Sequence, residues 1–162
     1  MTSPRTSAAE PVAGVEVEIE CPDWTVALPG ALDLVLAAAG VALAGRGDGA
    51  VAILLTDDDT VRALNLRFRA RDTATNVLSF PALAGPFGQL GDIALAFGVC
   101  RAEAVAQAKP LADHVRHLVI HGVLHLLGED HQDEAEAEAM ESRERALLAS
   151  LGVADPYAAS HG

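Results

Sequence analysis

The chain has 162 residues, 51% hydrophobic and 21% charged, which suits one folded domain with a sizeable core. Its longest uncharged apolar run, Leu34 to Gly45, is far shorter than the roughly 20 residues that cross a bilayer, and its start has no signal-peptide core, so a membrane or secreted protein is disfavoured and a cytoplasmic one expected. The formal charge of −12 opposes a nucleic-acid partner at long range, although four of the eleven cations, Arg62, Arg67, Arg69 and Arg71, fall within ten residues.

Residues 1–13 and 158–162 read as flexible tails around a single domain, 14–157. Val15 to Ile19, V-E-V-E-I, alternates apolar and acidic as a half-exposed strand does. Pro29 to Ala44 is rich in Ala and Leu and reads as a helix stopped by the Gly cluster at 45–49. Ala50 to Leu55, wholly apolar, reads as a buried strand. T-D-D-D from Thr56 is a capping box with Asp59 at the reciprocal position, opening a helix to about Phe68.

A basic loop without periodicity follows, then a β-rich stretch, Asn76 to Phe80, ended by Pro81. Residues 82–89 read as a loop. Leu90 to Phe97 reads as a strand with Asp92 opposite its apolar neighbours, and helix signals run from Val99 to Ala108. Pro110 opens a helix to Leu127, and a last helix spans Asp133 to Leu151, polar outside, with Met140, Leu147, Leu148 and Leu151 for packing. With no internal repeat, the sum is one α/β (α+β) domain, a mixed sheet of about four strands with about five helices. Cys21 and Cys100 read as ordinary reduced thiols.

Chemistry concentrates between Leu118 and His131, L-V-I-H-G-V-L-H-L-L-G-E-D-H. His121 and His125 are four residues apart, on one face of a helix and one turn apart. Gly128 stands where a left-handed residue would stop that helix, letting the chain turn and deliver His131 to the same point. Three imidazoles with an open fourth position are the ligand set of catalytic zinc, one ion per chain, on a zincin-like metal helix. Histidines in an apolar helix can also be core residues bonded to backbone, but three at this spacing favour the metal.

The spacing matches metzincin peptidases, except that Gly122 stands where those enzymes carry a Glu general base. A zinc peptidase is therefore a rival with no evident base, and Gly122 is expected to leave open space beside the metal. His114 and His117, one or two turns earlier, either support the site or are partly buried histidines meeting a carbonyl or an acid; spacing does not decide. Asp130 either orients His131 or serves the turn. Glu129 and the acidic helix after it read as a solvated face. Arg69, in the basic loop, is the cation whose planar fork suits a phosphate.

Three stretches, L-N-L-R-F-R-A-R-D-T-A-T-N-V-L-S-F-P at 64–81, L-G-D-I at 90–93 and H-L-V-I-H-G-V-L-H-L-L-G-E-D-H at 117–131, with D-P-Y at 155–157, resemble the YbeY endoribonucleases. The resemblance covers about residues 50 to 157. It implies a single-strand-specific, metal-dependent endoribonuclease of the bacterial cytoplasm, acting in maturation of the 3′ end of 16S ribosomal RNA and in ribosome quality control. It puts zinc on His121, His125 and His131 and the important arginine at Arg69. His114, or less so His117, is the expected proton shuttle. The implied partners are single-stranded ribosomal RNA and the small ribosomal subunit, with docking on a ribosomal protein or a ribosome-associated GTPase. Glu129 departs from the family's usual Tyr, and Thr73–Ala74–Thr75 lacks a Pro often found there. A second rival is a non-catalytic ribosome-assembly factor with a structural metal site.

Overall fold

The computed structural model describes residues 14–45, 49–81, 89–129 and 133–157. Within them the chain runs β1 (Val15–Ile19), α1 (Asp23–Ala27), α2 (Ala31–Leu43), β2 (Ala50–Thr56), α3 (Asp58–Arg69), β3 (Val77–Pro81), β4 (Gln89–Ala96), α4 (Phe97–Ala106), α5 (Leu111–Leu126) and α6 (Glu134–Ser150). Both expected tails, and all of the expected 82–89 loop except Gln89, lie outside the described residues.

The strands form one mixed sheet in the order β1-β2-β4-β3. β1, β2 and β4 are parallel and β3 pairs antiparallel with β4 at the edge. Strand alternation sorts side chains between two faces. Val51, Ile53, Leu55, Ile93 and Leu95 join α2 and α5 in the main core, while Leu78, Ala94 and Ala96 meet Val61 of α3 in a smaller one. Each fully buried Leu, Ile or Val contributes about 1.5–3 kcal/mol. The apolar run of β2 fits its central place: Val51, Ile53 and Leu55 are buried in the main core, while Ala52 and Leu54 on the other face are half-buried.

A sixth helix, the five-residue α1, escaped the periodicity reading because it is too short to show one. It exists to bury Trp24, whose indole N–H donates to the Thr56 carbonyl at 2.8 Å and whose ring meets Phe97 edge-on at 5.1 Å. The cap of α3 falls one residue later than expected. Asp57 is the N-cap, its carboxylate accepting from the Thr60 N–H at 2.8 Å, while Thr56 ends β2 and donates its hydroxyl to Glu20. α3 also runs one residue past Phe68, so Arg69 is its last helical residue rather than part of a loop. Ala70 then turns the chain in the left-handed conformation, φ 58°.

Candidate active site

α5 is built to carry side chains on its flank. Pro110 precedes it, and Asp113 lies in its first turn, where a negative charge complements the helix dipole. Val115, Leu118, Val119 and Val123 are buried in the main core, which leaves the stripe His117, His121, His125 along one side. Ring centroids are 6.3 Å apart for His117 and His121 and 4.8 Å for His121 and His125. The helix stops as its sequence requires: Gly128 takes φ 100°, its N–H donates to His125 O, and the Glu129 N–H reaches Leu124 O.

Between this stripe and the edge strand β3 lies a cleft of about 460 Å³. Arg69 enters it from the end of α3, its Nη2 donating to the Ser79 carbonyl at 2.5 Å. Arg69, His121 and His125, expected from sequence to work together, line this one cleft along with His117 and Tyr157. His131 and Asp130 lie outside the described residues. Among the described residues no group of three or more His, Cys, Asp or Glu side chains is arranged to hold a metal.

Behind the stripe stands a residue the sequence reading put on a solvated face. Glu144 of α6 is fully buried. Its Oε2 accepts from His121 Nδ1 at 2.6 Å, and its Oε1 accepts from His117 Nε2 at 2.9 Å and from the Tyr157 hydroxyl. Burial alone would push the carboxyl up, but the three donors outweigh it and hold it at about 2, so it is a carboxylate and His121 must carry its proton on Nδ1. Burial and then the carboxylate push the Tyr157 phenol up, keeping it a donor. The signal for Glu144 was present: it shares a stripe with Met140 and Leu148, each four residues away and buried.

His114 is brought elsewhere. It is 3% exposed, does not line the cleft, and its Nε2 donates to Glu103 Oε1 at 2.8 Å. Burial pushes its pKa below the usual histidine value despite Glu103, so it is neutral near pH 7 and not placed to shuttle a proton. The same Glu103 Oε1 also accepts from Asn76 Nδ2 in the cleft wall at 2.9 Å. Gly122 is among the residues lining the cleft. It is also buried against β4, where a Cβ would meet Ile93 Cδ1 at 3.1 Å, so the missing side chain lets α5 approach the sheet as well. Glu129 pairs with Arg143 of α6 at 3.0 Å, tying the end of α5 down.

A second groove, about 600 Å³, lies on the α3 face of the sheet and is lined by Glu16, Glu18, Glu20 and Asp92. None of the candidate residues reaches it, and four carboxylates repel a phosphate.

The geometry can be set beside known proteins. The family profile described as Endoribonuclease YbeY matches residues 18–152. Relatives named Endoribonuclease YbeY include one from Rhodopseudomonas palustris, 45% identical, covering 96% of this chain and 86% of its own. Another, from Paramagnetospirillum magneticum, is 49% identical, covering 88% of this chain and 94% of its own. A third, from Maricaulis maris, is 51% identical, with 88% and 91% covered. The solution structure of a Thermotoga maritima protein shares the fold at TM-score 0.57 and 22% identity, covering 83% of this chain and 86% of that one. Among the described residues no helix is long and apolar enough to cross a membrane. With both the family profile and close relatives spanning most of its length, the chain belongs to the YbeY endoribonuclease family.

Proposed function

We propose that this chain is a zinc-dependent endoribonuclease that cuts single-stranded RNA, acting on the 3′ end of 16S ribosomal RNA and in ribosome quality control in the cytoplasm. One observation carries the metal part of the reading: His121 donates an Nδ1–H hydrogen bond to a carboxylate buried behind it. That bond assigns the lone pair to Nε2, the tautomer a metal ligand needs, and a carboxylate behind a ligating histidine is the usual support for zinc. His125 lines the same cleft, and His131, three residues past Gly128, is the proposed third ligand. When bound, zinc supplies a Lewis acid that polarises a phosphoryl oxygen or lowers the pKa of a water to about 7.

The chain's own residues divide the remaining work. Glu144 fixes the ring and tautomer of His121 and, through Tyr157, ties the end of the chain to the site. Arg69, aimed by the Ser79 carbonyl, neutralises charge developing on the phosphoryl oxygens. Because −12 slows unaided approach to RNA, docking on the small subunit through a ribosomal protein or a ribosome-associated GTPase is part of the proposal.

The test compares Arg69→Ala with His121→Ala on a single-stranded RNA. Each is expected to lose roughly 10²–10³-fold in cleavage rate, and Arg69→Ala to keep its fold and its zinc by metal analysis. Normal cutting by Arg69→Ala would overturn its role. Small-subunit binding that survives in His121→Ala, with no cleavage by the wild type, would instead support the assembly-factor reading.

A further inference from the structure

The cleft at α5 does not end at Arg69. A second hollow, about 600 Å³, continues from it and shares Arg69, Val77 and Leu78 with it. Its far side carries Asn65, Arg71, Thr73 and Thr75, all side chains that can donate hydrogen bonds. We infer that this hollow is a second RNA subsite, gripping the sugar–phosphate backbone of nucleotides on one side of the cut. The inference rests on the endoribonuclease reading and adds to it where the uncut part of the strand lies.

Charge is the first reason. Among the described residues no Asp or Glu lines either hollow, in a chain with 23 acids. The nearest in sequence, Asp72, sits between Arg71 and Thr73 but is taken by Arg62, whose Nε and Nη2 donate to its two oxygens at 2.6 and 3.1 Å. Arg71 meets no carboxylate among the described residues. The basic stretch thus divides its arginines: Arg62 neutralises the local acid, while Arg69 and Arg71 face hollows that no carboxylate lines among the described residues.

Construction is the second reason. The wall is held by Asn65, only 4% exposed, whose Nδ2 donates to the Thr73 carbonyl at 2.9 Å. The Asn65 carbonyl accepts from the Arg71 N–H at 3.3 Å, so one buried residue pins the loop at two points. Ala70, left-handed, turns the chain so that Arg71 lies back beside Arg69. Among the described residues no aromatic side chain lines the hollow to offer bases a stacking platform. The grip is therefore on backbone and independent of sequence. The volume falls within the range of sites that hold small organic groups.

The experiment uses the full chain, zinc-loaded, and single-stranded RNAs sharing one cut site but extended stepwise to the 5′ side or the 3′ side. For the wild type, extension on one side only is expected to lower KM. Arg71→Ala should lose at least tenfold more on the extended RNA than on the shortest, Thr73→Val with Thr75→Val several-fold more, and Arg71→Lys should recover most of the loss. The slope of log affinity against log salt should fall by about one in Arg71→Ala. Equal treatment of short and long RNA by wild type and Arg71→Glu overturns the subsite. Fluorescence anisotropy on the same RNAs separates the two readings: length-dependent binding through Arg71 without any cleavage keeps the subsite and overturns the endoribonuclease.

Discussion

The two sides of the sheet treat their acids in opposite ways. On the α3 face, Glu16, Glu18, Glu20 and Asp92 line an open groove. On the α5 side, the described carboxylates Glu144 and Glu103 are spent: Glu144 accepts from His117, His121 and Tyr157, and Glu103 from His114 and Asn76. What the contrast teaches is that a net charge of −12 does not forbid an RNA substrate. A carboxylate buried under donors orients the side chains that face the ligand, whereas an exposed one only repels it.

α3 straddles the two sides, and this gives the sharpest way to break the contrast. Arg67 lines the acidic groove and Arg69 the histidine cleft, two residues apart on one helix. Arg69→Glu is expected to cost RNA cleavage roughly 10²–10³-fold, as loss of a transition-state cation does. Arg67→Glu should stay within about twofold at physiological salt, where screening acts over about 8 Å. Equal losses from the two would mean that the sides are not separate. Next in size, Glu144→Gln should weaken zinc binding about 10–100-fold in chelator competition, because an amide can no longer hold the His121 tautomer unambiguously. Unchanged affinity would show that the buried acid serves packing alone.

A smaller effect concerns the other spent acid. Burial, only partly offset by Glu103, lowers the pKa of His114, so below the ordinary histidine value of about 6.5 the unfolded chain binds more protons than the folded one. Its contribution to stability is intact above that pH and is lost as pH falls through the window beneath it. The urea midpoint should therefore drop between pH 7 and 5.5, and drop less in His114→Gln. The least effect is at the pivot between the two sides: Ala70→Gly, relieving a left-handed alanine, should stabilise the fold by about 0.5–1 kcal/mol in urea unfolding.

Much of this was legible in the sequence because it rests on periodicity. The β1 alternation, the apolar β2, the histidine spacing of α5 and the Gly128 stop are local patterns with local causes. The misses are non-local. Trp24 forms its helix by reaching Thr56, and the close approach of Gly122 to Ile93 involves another element. Glu144 was hidden by the acids around it, although its place on the Met140–Leu148 stripe marks it as inward. Tyr157 carried no physical signal beyond the D-P-Y resemblance, since nothing local says that the chain folds back onto Glu144.

β3 borders the sheet, and the outer border of any sheet offers unpaired backbone groups to a strand from another molecule. Arg69 covers one of them, the Ser79 carbonyl, with a cation. The side chain proposed to meet a phosphate therefore also occupies a backbone acceptor of the edge strand. Its removal leaves that carbonyl without this donor, so kinetic losses in Arg69 variants should be measured in dilute, light-scattering-checked samples.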